Sequence, residues 1–253
     1  MDGIIYVVGI GPGDKEHMTF KAYQILNKMD IIIGYGTYIQ LIEDIIKDKK
    51  IIKSGMTKEI ERAKQAVELA QEGKKVAVIS SGDPGVYGMA GIVLEMARDM
   101  VPVEIIPGVT AATAAAATLG APLMHDFAVI SLSDLLTPWI KIMTRLEAAA
   151  LGDMVIVLYN PKSKGRPKNI EAAREIILWH RAPETPVGLV KNAKRGNEEV
   201  VITTLKDMLN HEIDMLTTVV IGNSETKIEN DMLITPRGYH QKKNYSKAQE
   251  VLE

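Results

Sequence analysis

Short apolar runs alternate along the chain with stretches whose apolar positions recur at helical spacing. Residues 4–8 read as a buried strand, 19–29 as a helix and Ile31-Ile32-Ile33 as a second strand. Thr57 is placed to cap a helix that runs to Gln71 and stops at Gly73, with Ile60, Ala63, Val67 and Ala70 on one face. Residues 76–79 and 103–106 are further strands, with a helical pattern over 89–98 between them. Pro107-Gly108-Val109-Thr110 opens an alanine-rich helix that ends near Gly120 and should pack closely on a sheet.

A second series follows. Strands are predicted at 127–131, 154–158, 187–190, 199–203 and 217–221, and a helix at 168–180. Pro138 suits the first position of another helix, with Thr137 as its cap and Trp139, Ile142, Met143 and Leu146 as its buried stripe. Little helix separates the last three strands, so this half should form a mixed sheet. The pattern predicts an α/β protein of two α/β domains, over residues 1–120 and 121–240, with a polar tail at 241–253.

Composition narrows the chemistry. The 253 residues are 46% hydrophobic and 25% charged, with a net charge of -2, so no global charge signal points to nucleic acid. The chain has no cysteine, which removes disulfides, thiolate metal sites and cysteine nucleophiles. The first residues lack a basic segment, and their apolar run ends in a glycine loop, as expected of a cytoplasmic protein without a membrane span.

The informative stretches lie where strands end. Gly9-Ile10-Gly11-Pro12-Gly13-Asp14 follows the first strand, Ser81-Gly82-Asp83-Pro84-Gly85-Val86-Tyr87-Gly88 a later one, and Pro107-Gly108-Val109-Thr110-Ala111 a third. In open α/β sheets ligands bind at the carboxyl ends of strands, and glycine there lets the backbone approach them. A dinucleotide fingerprint needs glycine where Asp14 stands, no Walker-type phosphate loop or Gly-x-Ser-x-Gly elbow exists, and histidines 17, 125, 180, 211 and 240 lack metal-ligand spacing. No metal is expected. The three loops are suited to cradle a ligand through backbone contacts.

In order and spacing these loops resemble the signature of the tetrapyrrole (corrin and porphyrin) methyltransferases, and the resemblance covers nearly the whole chain. Residues 152–166, with Tyr159-Asn160-Pro161, and residues 187–193 are similar to the ring-contracting C17-methyltransferases of cobalamin synthesis. The resemblance implies two α/β domains with a cofactor cleft between them, usually in a homodimer. It implies S-adenosylmethionine as cofactor and a tetrapyrrole, cobalt-factor III or precorrin-3B, as substrate. Carried over by position, cofactor contacts fall on Pro12, Ser81, Gly82, Asp83, Val86, Thr110, Ala111, Asn160, Ala193, Thr217 and Thr218. Ser81 departs from the glycine that relatives tend to carry there.

Methyl transfer from a sulfonium needs alignment more than acid or base chemistry. Ring contraction also moves protons, and Asp83, His125 and Tyr159 are the candidates, with Tyr87 beside them. Asp83 is better suited to orienting its loop or the cofactor than to moving a proton. The substrate carries many carboxylates. Two basic runs are placed to receive them: Lys162, Lys164, Arg166 and Lys168, and then Lys191, Lys194 and Arg195. A solvated basic surface is the competing account, and the absence of interleaved aromatics argues against nucleic acid. Two other functions fit the same residues: a C11- or C20-methyltransferase of corrin synthesis, and a non-catalytic module that binds S-adenosylmethionine.

Overall fold

The computed structural model describes residues 3–239, and it divides into two compact units. The first comprises residues 1–114 together with 193–197; the second comprises 115–192 and 198–253. The dividing point falls inside the alanine-rich helix. The tail expected at 241–253 lies outside the described residues.

The first unit contains β1 (Ile4–Gly9), α1 (Phe20–Lys28), β2 (Ile31–Tyr35), α2 (Gly36–Leu41), β3 (Lys50–Ser54), α3 (Glu59–Gln71), β4 (Lys75–Ser80), α4 (Ala90–Ala97), β5 (Val103–Ile106) and the start of α5 (Ala111–Leu119). Its sheet has the order β3-β2-β4-β1-β5, and every pairing is parallel. Parallel strands buried on both faces read as continuous apolar runs, and side-chain alternation sorts them. Ile5, Val7, Ile31, Ile33, Val76 and Val78 face α3 and α4; Val8, Ile32, Ala77 and Ile79 face α1 and α2. With all five strands parallel, every carboxyl end opens on the same edge.

The second unit holds β6 (Gly120–Ala121), β7 (Phe127–Ser131), α6 (Trp139–Leu151), β8 (Val155–Tyr159), α7 (Asn169–Leu178), β9 (Pro186–Lys191), β10 (Glu199–Thr204), β11 (Thr217–Ile221), β12 (Lys227–Glu229) and β13 (Met232–Ile234). The mixed sheet runs β10-β9-β11-β8-β7, with β7 parallel to β8 and the other pairs antiparallel. One face carries α6 and α7 over Ile156, Leu158, Val187, Leu189, Val219 and Ile221. On the other, a Cβ at Gly188 would lie 2.4 Å from the side chain of Leu119, so glycine lets α5 sit directly on β9.

Three local expectations are corrected, and some elements were not expected at all. Thr57 does not cap α3: it has φ of 62° and donates its hydroxyl to the Met56 carbonyl, so Lys58 takes the cap position. Ile60 is exposed, and the buried face of α3 is Ala63, Ala66, Val67 and Ala70 with Arg62. Pro138 is itself the cap residue of α6, without a side-chain cap bond from Thr137. The small sheet β12-β13-β6, the strand β3 and the short helix α2 were not expected from the pattern.

Candidate functional site

The three glycine loops leave β1, β4 and β5 on the common edge of the first sheet, and they lock onto one another through backbone. Gly11 and Gly82 exchange hydrogen bonds, Gly82 N–H to the Gly11 carbonyl at 2.7 Å and Gly11 N–H to the Gly82 carbonyl at 3.2 Å. Both residues have positive φ, 76° and 67°. A Cβ at Gly108 would lie 2.2 Å from the Gly82 carbonyl oxygen, and one at Gly9 would lie 2.7 Å from the Gly108 nitrogen. Close approach of backbone to backbone explains both glycines.

Asp83 ties the second loop to the third. Its carboxylate accepts the Gly85 N–H at 2.7 Å and the Gly108 N–H at 3.0 Å. Pro12 is buried, while Ser81, Asp83, Val86, Thr110 and Ala111 are half-buried around the rim. At Gly82 a Cβ would have only ordinary contacts, 3.6 Å from Thr110 Cα. Gly82 is buried, and its approach to Thr110 is lined by backbone and small side chains in ordinary contact. Such a cradle fits a ligand recognised by backbone polar groups, as the zwitterionic, nucleoside-bearing S-adenosylmethionine would be.

Beside the glycine loops, the same edge changes character at the ends of β2 and β3. Tyr35 and Tyr38 pack edge to face at 5.2 Å between ring centres. Arg62 is buried, and donates to Ser54 Oγ at 2.7 Å, the Gly55 carbonyl at 3.1 Å and Met89 Sδ at 3.5 Å. Burial pushes the Tyr38 phenol up; the charges of Arg195 and Arg62 oppose the shift, while Tyr35 and Glu59 add to it. Arg195, from the 193–197 segment, donates to the Pro12 carbonyl at 2.8 Å and to Ser81 Oγ at 3.1 Å. Tyr38 and Arg62 were missed in the sequence. The one signal was the Tyr35-Gly36-Thr37-Tyr38 cluster directly after a strand.

In the second unit, Asn160 follows β8 with φ of 51° and donates its side-chain amide to Ser131 Oγ at 2.9 Å. Tyr159 is the last residue of β8. Thr217 and Thr218 are buried at the start of β11, and the Thr217 hydroxyl bonds Asp214 Oδ1 at 3.1 Å. His125 Nε2 lies 3.9 Å from Glu225. Lys191 is balanced by Glu212 at 2.9 Å and Asp214 at 3.1 Å, and those hydrogen bonds push its ammonium up. Lys162 and Lys164, with Ile213, Met215 and Leu216, line a depression of about 460 Å³. Arg166 donates Nη2 to Met215 Sδ at 3.3 Å, while its buried Nε and Nη1 have no hydrogen-bond partner. Among the described residues no acidic or histidine cluster suits a metal, and no helix is long and apolar enough to cross a membrane. Ala193, also expected to contact the cofactor, is buried and belongs to the first unit.

Comparison with known proteins gives a consistent picture. Residues 4–209 match the family of tetrapyrrole (corrin/porphyrin) methylases. A cobalt-factor III methyltransferase of Priestia megaterium is 52% identical over 100% of this chain, which spans 48% of that longer protein. A probable cobalt-factor III C(17)-methyltransferase of Salmonella typhimurium is 49% identical over 93% of this chain and 99% of its own length. Among solved structures, the methyltransferase CobJ superposes with a TM-score of 0.88 at 35% identity, covering 92% of this chain and 100% of its own. A uroporphyrin-III C-methyltransferase from Thermus thermophilus, complexed with S-adenosyl homocysteine, gives 0.68 at 26% identity over 87% of this chain and 92% of its own.

Proposed function

The chain belongs to the tetrapyrrole (corrin/porphyrin) methylases, and we propose that it methylates C17 of cobalt-factor III, or of precorrin-3B, with contraction of the macrocycle. The observation that carries this reading is the set of three interlocked glycine loops on the common edge of a parallel sheet. Relatives at 52% and 49% identity bear the cobalt-factor III name, which favours the cobalt-containing substrate.

The residues that would hold S-adenosylmethionine are Pro12, Ser81, Gly82, Asp83, Val86, Thr110 and Ala111. When bound, the cofactor supplies an activated methyl group on a sulfonium. The loops contribute alignment, because an in-line displacement is limited by the placement of donor and acceptor. Asp83, with both carboxylate oxygens on loop amides, is suited to fixing that placement rather than to moving a proton. His125 and Tyr159 are the groups we assign to proton movement during contraction. Lys162, Lys164 and Arg166 receive substrate carboxylates, a reading supported by the two unpartnered guanidinium nitrogens of Arg166. A homodimer is the expected working form.

The test is an anaerobic incubation with S-adenosylmethionine and cobalt-factor III, and separately precorrin-3B, read by mass spectrometry and NMR. The expected product carries one new methyl at C17 in a contracted ring. Methylation at C11 or C20 would reassign the step. Tight cofactor binding without transfer to either substrate would turn the protein into a binding module.

A further inference from the structure

Two arginines contrast: Arg181 is buried and Arg195 is half-buried. Arg181 is a structural one: it pairs with Asp153 at 2.5 Å and donates to the carbonyls of Ala150 at 3.1 Å and Met154 at 2.8 Å. Its charge is balanced and its donors are consumed. Arg195 is different. Two donors go to the neutral oxygens of Pro12 and Ser81, and its stem lies so close to the first loop that a Cβ at Gly13 would meet Arg195 Cγ at 2.3 Å. Among the described residues no carboxylate pairs with it. Burial pulls its guanidinium down, with only the Tyr38 phenol acting the other way. A partly desolvated cation without a counter-charge gains from an anion that completes it.

Its position identifies the kind of anion. The all-parallel strand order puts the ends of β1, β4 and β5, with their glycine loops, next to those of β2 and β3, with Tyr35, Tyr38, Ser54 and Arg62. Arg195 bonds Ser81 just past the end of β4 and interacts electrostatically with Tyr38 in α2, which follows β2, and so marks the seam between the two sets. A flat fork of donors at such a seam suits a carboxylate, and a phenol beside it adds a hydrogen-bond donor. We propose that Arg195, seconded by Tyr38, receives a carboxylate of a ligand bound beside the glycine loops. This rests on the methyltransferase reading, which offers two sources of that group: the amino-acid end of the cofactor and the side chains of the tetrapyrrole. Lys191, in the same basic run, is already neutralised by Glu212 and Asp214.

The test compares wild type with Arg195→Gln by equilibrium binding to two pairs of probes. S-adenosylhomocysteine is set against 5′-methylthioadenosine, which lacks the carboxylate. Uroporphyrin III is set against the same macrocycle with its carboxylates capped as amides. The proposal expects the substitution to weaken one carboxylate-bearing probe by about tenfold while sparing its carboxylate-free partner. The pair that responds identifies the source. Equal weakening within both pairs would make Arg195 a brace for Pro12 and Ser81 and overturn the proposal, as would unchanged affinities. Wild-type protein that binds none of the four probes would remove the methyltransferase reading and this inference with it. Should Arg195→Gln not fold, Arg195→Lys keeps the charge and stem but loses the fork, and the same selective loss is expected at smaller size.

Discussion

The two compact units end their strands in opposite ways. In the first, the left-handed turns after β1 and β4 fall on Gly11 and Gly82, and the loops hold together by backbone meeting backbone. In the second, the left-handed positions after β8 and β9 are Asn160 and Asn192, with φ of 51° and 54°. Asparagine tolerates this region better than other side chains and brings an amide to bond with. One unit is therefore built on absent side chains and should resist additions. The other is built on particular side chains and should respond to their removal.

The strongest way to break the contrast is Gly108→Ala. The new methyl would meet the Gly82 carbonyl oxygen at 2.2 Å and Gly9 Cα at 3.0 Å, all backbone held by its own hydrogen bonds. Overpacking of this kind costs about 3 kcal/mol or more where nothing can yield. Urea unfolding should record that loss, and S-adenosylhomocysteine binding should disappear by calorimetry. A stable variant with wild-type affinity would mean that the loops adapt and that their glycines are incidental.

Asp83→Ala is the next largest, and it probes the exception: a side chain on which the first unit does depend. It removes two hydrogen bonds from backbone amides to a charged acceptor, each worth about 1.5–3 kcal/mol. Because both lie in surface loops, the effect should fall on the cradle more than on the fold. Cofactor affinity should drop by about thirtyfold, near 2 kcal/mol, with a smaller shift in the urea midpoint. Unchanged affinity in a folded variant would remove Asp83 from the site.

The legibility of the sequence follows the same division. Strands β1 and β4 could be read because buried parallel strands are nearly uninterrupted apolar runs, and β5, an edge strand interrupted by Glu104, because it too runs into proline and glycine. Strand β3, Lys-Ile-Ile-Lys-Ser, is an edge strand with lysines among its isoleucines, and α2 begins at a glycine without a side-chain cap, so neither carries a pattern that marks it. Thr57 has the residue type of a cap, but its left-handed φ turns it away from the helix. The glycine loops were legible as local motifs. The Tyr38–Arg62–Arg195 grouping was not, since strand order brings the ends of β2 and β4 together and Arg195 joins them from far along the chain.

A third test moves to the second unit. The charge reversals Lys164→Glu and Arg166→Glu replace donors with acceptors beside Met215 and the depression. The KM for the tetrapyrrole should rise about tenfold, the worth of one charge-assisted hydrogen bond, while cofactor affinity holds. Equal kinetics would assign the run to solvated surface.

The smallest effect sharpens the comparison most. Asn160→Ala keeps a Cβ at φ of 51° and loses the amide that donates to Ser131 Oγ. An ordinary residue forced into the left-handed region costs about 1–2 kcal/mol. Asn160→Gly loses the same hydrogen bond but relieves the backbone, so its stability should return to within about 0.5 kcal/mol of wild type. Thermal unfolding separates the two variants, and S-adenosylhomocysteine titration adds what stability alone does not contain. If glycine restores stability and affinity together, Asn160 is there for its backbone, and the second unit has only substituted one turn-former for another. If glycine restores stability while affinity stays low, the amide itself is used by the ligand, and the asparagine turn is a site rather than a hinge.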